Sequence, residues 1–141
     1  MCLQAPTGKE LVTAGGFTDE LQVKSSTSTT DLTHLKSTHE EADTRLVLHA
    51  VNANFNTVVV SSRDTDVLLL LVFHSQRMQC QHFWMMSSAS KKRRYIPIAE
   101  VFYKLPTGSA PSLLPFHALT GCDTTSYIAN HTKRSSWKTF E

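Results

Sequence analysis

Between Asn56 and His74 the chain reads "NTVVVSSRDTDVLLLLVFH", and no other stretch restricts the fold as tightly. Two apolar blocks, Val58–Val60 and Val67–Phe73, are separated by polar residues only. The first is β-branched and of strand length, which predicts a strand buried on both faces. The second is helix or strand, because periodicity does not separate the two over so short an apolar run. It is far too short to cross a bilayer, which takes about 20 residues.

The flanking sequence extends the pattern. Ala42, Leu46, Ala50 and Ala53 fall at helical spacing, which predicts a helix over residues 40–53. "QHFWMMSS" reads as a strand, and "IPIAEVFYKL" as a strand or turn leading into a short helix that starts near Pro97. "LLPFHALTGCD" reads as a helix that stops at Gly121, with another helix after it. Strands and helices in alternation predict an α/β domain with a mainly parallel sheet flanked by helices. In such sheets, functional groups gather beyond the C-terminal ends of the strands.

The 141 residues are expected to form one domain, and 40% hydrophobic content is enough for one core. The reading divides the chain into a strand and turn segment (1–23, with "ELVTAGGFTD" ending in a Gly-Gly turn), a Ser/Thr-rich loop (24–38) and the main domain (39–141). A net charge of +2 implies no strong partner by itself. "MCLQAPTGKE" has no basic-then-apolar signal pattern, so an intracellular location is expected. The three cysteines are widely spaced without a C-x-x-C, and read as free thiols in a reducing compartment. Cys80 and His82 supply only half of a zinc set.

Half of the twelve acidic residues lie in three short stretches that abut apolar sequence. Glu40, Glu41 and Asp43 open the first helix, Asp64 and Asp66 follow "VVVSS", and Asp123 follows "LTGC". Carboxylates converging at a sheet edge raise one another's pKa. A divalent cation removes that conflict, and hard oxygen ligands suit Mg²⁺ or Mn²⁺. Local explanations compete. Thr38 and Glu41, or Ser37 and Glu40, have the spacing of a capping box, and acids in a first helical turn favour the helix dipole. Glu41 and Asp43 do not share a face within a regular helix, so they converge only if Glu41 lies at its frayed start; Glu40 with Asp43 is the in-helix alternative. Asp64 and Asp66 share a face if the strand continues through them; otherwise one of them caps the helix that follows. Asp123 is a candidate cap for the last helix.

"EEAD", "VVVSSRDTDVLLL" and "LTGCDTTS" resemble, in order and context, the acidic motifs of PIN-like nucleases of the flap endonuclease superfamily. "HEEADTR", "DTDVL" and "HALTGCDTTS" are more similar still to a large group of transposon-associated animal proteins. The resemblance covers roughly residues 10–141. It implies that Glu41, Asp43, Asp64, Asp66 and Asp123 are catalytic and bind two ions, Mg²⁺ or Mn²⁺. It implies metal-assisted hydrolysis of a phosphodiester by an activated water, with DNA as the first candidate substrate and RNA as the second. It also implies a PIN-like sheet lacking its N-terminal strand and helix, since nothing here matches the family's Asp-bearing first strand. After Asp123 the family has Gly-x-Gly and a Lys; here "YIANHTKR" has no glycine.

Two basic stretches are candidates for phosphate contacts: Lys91, Lys92, Arg93 and Arg94, and Lys133 with Arg134. "KKRRY" also has the composition of a nuclear import signal, so a nuclear location is expected over a cytoplasmic one; a solvated loop is its plain alternative. Trp137 reads as a core anchor of the last helix, and His117, six residues before Asp123, as a packed or surface histidine first and as a neighbour of the acidic site second. Neither a Gly-x-Ser-x-Gly nor a P-loop is present, and no small-molecule cofactor or membrane partner is expected. The competing function is non-catalytic: a truncated remnant that at most binds nucleic acid or protein.

Overall fold

The computed structural model describes residues 5–27, 29–38, 41–87, 92–120 and 136–138. In chain order its elements are β1 (Val12–Ala14), β2 (Val23–Ser25), α1 (Ala42–Val51), β3 (Thr57–Ser61), α2 (Thr65–Phe73), β4 (His82–Ser87), β5 (Arg94–Pro97), α3 (Ile98–Tyr103) and α4 (Leu113–Thr120). Short 3-10 turns lie at Thr33–Leu35, Ser75–Arg77 and Ala110–Ser112.

The block that restricts the fold most becomes a β-α-β unit. β3 and β4 pair in parallel, Val58 against Phe83 and Val60 against Met85, with α2 in the connection between them. The second apolar block is therefore helix. Val67, Leu71 and Val72 on α2 are almost fully buried, and Leu68 and Leu70 pack around the same core. A helix apolar on all sides has to be enclosed. α2 is enclosed by α1, α3 and α4, with Ile98 and Leu113 completing the core. Burying each such aliphatic side chain contributes about 1.5–3 kcal/mol, which makes α2 the hub of the fold.

The protein is thus α/β, but the sheet is mixed rather than mainly parallel. β5 runs antiparallel to β4, with Met86 opposite Tyr95 and Ser87 opposite Arg94. The reason is the short link between Ser87 and Arg94, since a parallel return needs a crossover of about a dozen residues. β1 and β2 form a separate antiparallel hairpin, turned by Gly15 and Gly16 at φ 84° and 72°. β2 runs from the strand and turn segment into the Ser/Thr-rich stretch read as loop, which holds its Lys24 and Ser25 and the turn at Thr33–Leu35 that buries Leu35.

The expectation that β3 is buried on both faces does not hold. Val58 and Val60 are buried, while Val59 is 48% exposed. The helices pack on the face that carries Val58, Val60, Phe83 and Met85. The other face carries Val59, half-buried Trp84 and Met86, and exposed Tyr95. No helix among the described residues is long and apolar enough to cross a membrane.

Candidate active site

Both long acid-bearing helices begin at the same edge of the sheet. α2 starts just beyond the C-terminal end of β3, and α1 packs against both β3 and α2. Their N-termini carry partial positive charge, which favours acidic residues there.

The local geometry assigns the acids different tasks. Asp64 is the N-cap of α2, with extended backbone at φ −82° and ψ 132°, and its Oδ1 accepts the Asp66 N–H at 2.8 Å. The Ser62 hydroxyl oxygen accepts the Asp64 N–H at 3.1 Å, which fixes the turn out of β3. The strand therefore stops at Ser61, and Asp64 and Asp66 occupy the cap and first turn of a helix rather than one face of a continued strand. The side chain of Asp66, in contrast, is not the cap. Its Oδ1 accepts a hydrogen bond from His117 Nε2 on α4 at 2.7 Å. The Asp66 side chain is 31% exposed and that of His117 13%, so the pair sits in a largely sheltered position.

Glu41 is the N-cap residue of α1, at φ −76° and ψ 131°, and its side chain makes no capping bond. A capping box on Thr38 would have put the N-cap there; the helix begins three residues later. Glu41 thus lies outside the regular helix, as convergence with Asp43 requires. Asp43 stands in the first turn, half-buried. Its carboxyl is pushed above the ordinary carboxylate range, first by burial and then by the negative charges of Asp64, Asp66 and Glu41. Acids more than twenty positions apart therefore share one electrostatic neighbourhood.

Among the described residues, no three of His, Cys, Asp and Glu are gathered closely enough to form a finished metal cage. The donor chemistry nonetheless fits a hard divalent cation: the groups are carboxylate oxygens, and three of these acids act on the carboxyl of Asp43. Asp123, Lys91, Lys133 and Arg134 lie outside the described residues, as do His39 and Glu40. Lys92, Arg93 and Arg94 are exposed. Register places them usefully. Arg94 pairs with Ser87 at the end of β4, and Met86 pairs with Ser61 at the end of β3. Arg94 thus lies at the strand ends from which the chain runs on to Asp64 and Asp66, two strand spacings or about 10 Å across the sheet from Ser61. Trp137 packs against the core and meets the Phe116 ring edge-on at 4.9 Å.

His117 is the residue that sequence reasoning undervalued. The available signal was its place on the apolar helix "LLPFHALT", six residues before Asp123, where a packed polar side chain needs a partner. The partner lies 51 positions away. Comparison of the chain with family models, with curated proteins and with solved structures returns no match.

Proposed function

We propose that the protein hydrolyses phosphodiester bonds in DNA with the help of Mg²⁺ or Mn²⁺, as a PIN-like nuclease of the flap endonuclease superfamily and of mobile-element descent. The observation that carries this reading is the place of Asp43, whose carboxyl is raised first by burial and then by the charges of Asp64 and Asp66 at the start of the next helix and of Glu41 at the cap of its own. Mutual repulsion of this kind weakens a fold and is relieved by a cation.

Glu41, Asp43, Asp64 and Asp66, with Asp123, are the residues that would hold the metal. Such ions, when bound, polarise the phosphodiester and lower the pKa of a bound water. The chain's own contributions are distinct. Asp64 commits Oδ1 to the α2 cap and keeps its other oxygen as a donor. His117 fixes the orientation of Asp66 in the same way, by holding Oδ1. Arg93 and Arg94 stand at the same sheet edge, where a phosphate backbone would neutralise them. The run from Lys91 to Arg94 also suits nuclear import.

The test uses the purified chain with labelled flap, duplex and single-stranded DNA and Mn²⁺. Asp43→Asn serves as the control, because Asp64→Ala would also uncap α2. Cleavage by the native chain that is lost in Asp43→Asn is the expected result. Absence of cleavage together with absence of Mn²⁺ binding overturns the proposal. A second reading, a non-catalytic module that binds nucleic acid or protein, is favoured by the incompletely covered sheet. Equal DNA binding by both chains, without cleavage, would select it.

A further inference from the structure

Register separates the two faces of the three-stranded sheet. Val58, Val60, Phe83 and Met85 point inward and are buried. Val59, Trp84 and Met86 point outward, and Tyr95 stands opposite Met86 across the β4–β5 ladder. Val59 and Tyr95 are exposed, Trp84 and Met86 are half-buried, and none of the four joins the core. Together they form one apolar patch on the outer face. Contiguous exposed apolar surface of this kind marks a binding site.

The patch carries two aromatic rings. Trp84 is opposite Pro97 and Tyr95 opposite Met86, so Trp84 and Tyr95 are diagonal neighbours about 7–8 Å apart. Neither ring meets another ring among the described residues. Charge is placed at one end only. Lys92, Arg93 and Arg94 are exposed and immediately precede Tyr95. Arg94 is opposite Ser87 and belongs to the inward side of the ladder, so Lys92 and Arg93 are the cations nearest the outer patch in the chain. No outward position on the three strands is acidic.

This combination selects the occupant. Single-stranded nucleic acid offers a base to each aromatic ring and a phosphate to each cation. A duplex does not, because its bases are stacked on one another. A second copy of the chain is not complementary either. Laid face to face, it brings the same cations against a surface that holds no carboxylate.

We propose that the outer face of the sheet binds single-stranded nucleic acid, with bases stacked on Trp84 and Tyr95 and phosphates held by Lys92 and Arg93. Aromatic residues on an open sheet hold two or three bases in this way. Every base has a ring face, so recognition is tolerant of sequence. The binding goes beyond the nuclease reading, since it needs neither a metal nor any of the acidic residues.

The probe is a dye-labelled oligothymidylate of about twelve nucleotides, titrated into the full chain in EDTA and followed by anisotropy. An abasic strand of the same length carries the phosphates without the bases. Saturable binding is expected, about tenfold or more tighter for the thymidylate than for the abasic strand. An oligouridylate of the same length should behave as the thymidylate does, and the ratio of the two affinities tells DNA from RNA. Tyr95→Ala should weaken the thymidylate about tenfold and leave the abasic strand unchanged. Tyr95→Phe should bind as the native chain does, because the ring remains. Lys92→Ala with Arg93→Ala should weaken both strands and make the dependence of log affinity on log salt shallower by about 1.4. Equal binding of thymidylate and abasic strand overturns the proposal, and so does a Tyr95→Ala chain that weakens both equally or neither. A dimer of the free chain that Tyr95→Ala dissociates also overturns it, since a second copy then covers the face. EDTA removes any metal-dependent cleavage, so failure of this binding and failure of the nuclease assay are separate results.

Discussion

α1 and α2 begin at the same edge of the sheet, with the same spacing of acids, and use them differently. Each has an acid at the N-cap with extended backbone and a second acid two residues on. In α2 the first acid closes the turn and the second is held by His117. In α1 the first makes no capping bond, and the second carries a raised pKa. The acids of α2 are built into the fold, whereas Asp43 of α1 is a strain on it. Groups that cost stability without a structural return mark functional sites more reliably than acids that cap.

Four experiments break or sharpen this contrast. The largest effect is expected from the double variant Glu41→Gln with Asp43→Asn. Cleavage of labelled DNA should fall on the order of 100-fold or more, as for loss of groups that act in the transition state, while the melting temperature stays level or rises. A fall in melting temperature would mean that the α1 acids are structural after all. Next, His117→Ala should weaken Mn²⁺ binding about 10- to 100-fold, the usual cost of removing a residue that orients a ligand. Titration calorimetry reads this directly, and His117→Gln should recover part of the loss. Unchanged affinity would make the His117–Asp66 bond a packing feature only.

The third contrast concerns stability. Asp64→Ala should cost about 1 kcal/mol in urea unfolding, as loss of an N-cap does. Glu41→Ala should cost close to nothing, because no capping bond is lost. Equal costs would erase the distinction between the two helix starts. The smallest effect is one of pH. The folded pKa of Asp43 lies above its unfolded value, so the folded state binds more protons across that interval. Stability therefore declines as pH rises through the folded pKa and carries the full penalty at neutral pH. Asp43→Asn should remove this slope and gain a few tenths of a kcal/mol at neutral pH, after allowance for solvent screening. Added Mn²⁺ should flatten the slope in the native chain as well.

The elements with strong local signals were legible in the sequence. The helical spacing from Ala42 to Ala53 gave α1 to within two residues at each end, and the β-branched run gave β3. β2 was not legible. Two of its three residues, Lys24 and Ser25, lie in a Ser/Thr-rich tract, and they become a strand only because the Gly15–Gly16 turn brings β1 alongside. The seven apolar residues from Val67 carried no periodicity, and their enclosure by three other helices made them a helix. The exposure of Val59 was hidden because a β-branched residue reads the same whether or not something covers it.

By itself the sequence determined composition, local conformation and the identity of the acids, all of which act over a few residues. The tertiary structure alone decided which acid caps, which is held by a histidine 51 positions away, and which is left to bear its neighbours' charge. The physical reason is range. Capping and propensity act within a turn of chain, while repulsion and hydrogen bonding act through space, and only packing around α2 sets those distances.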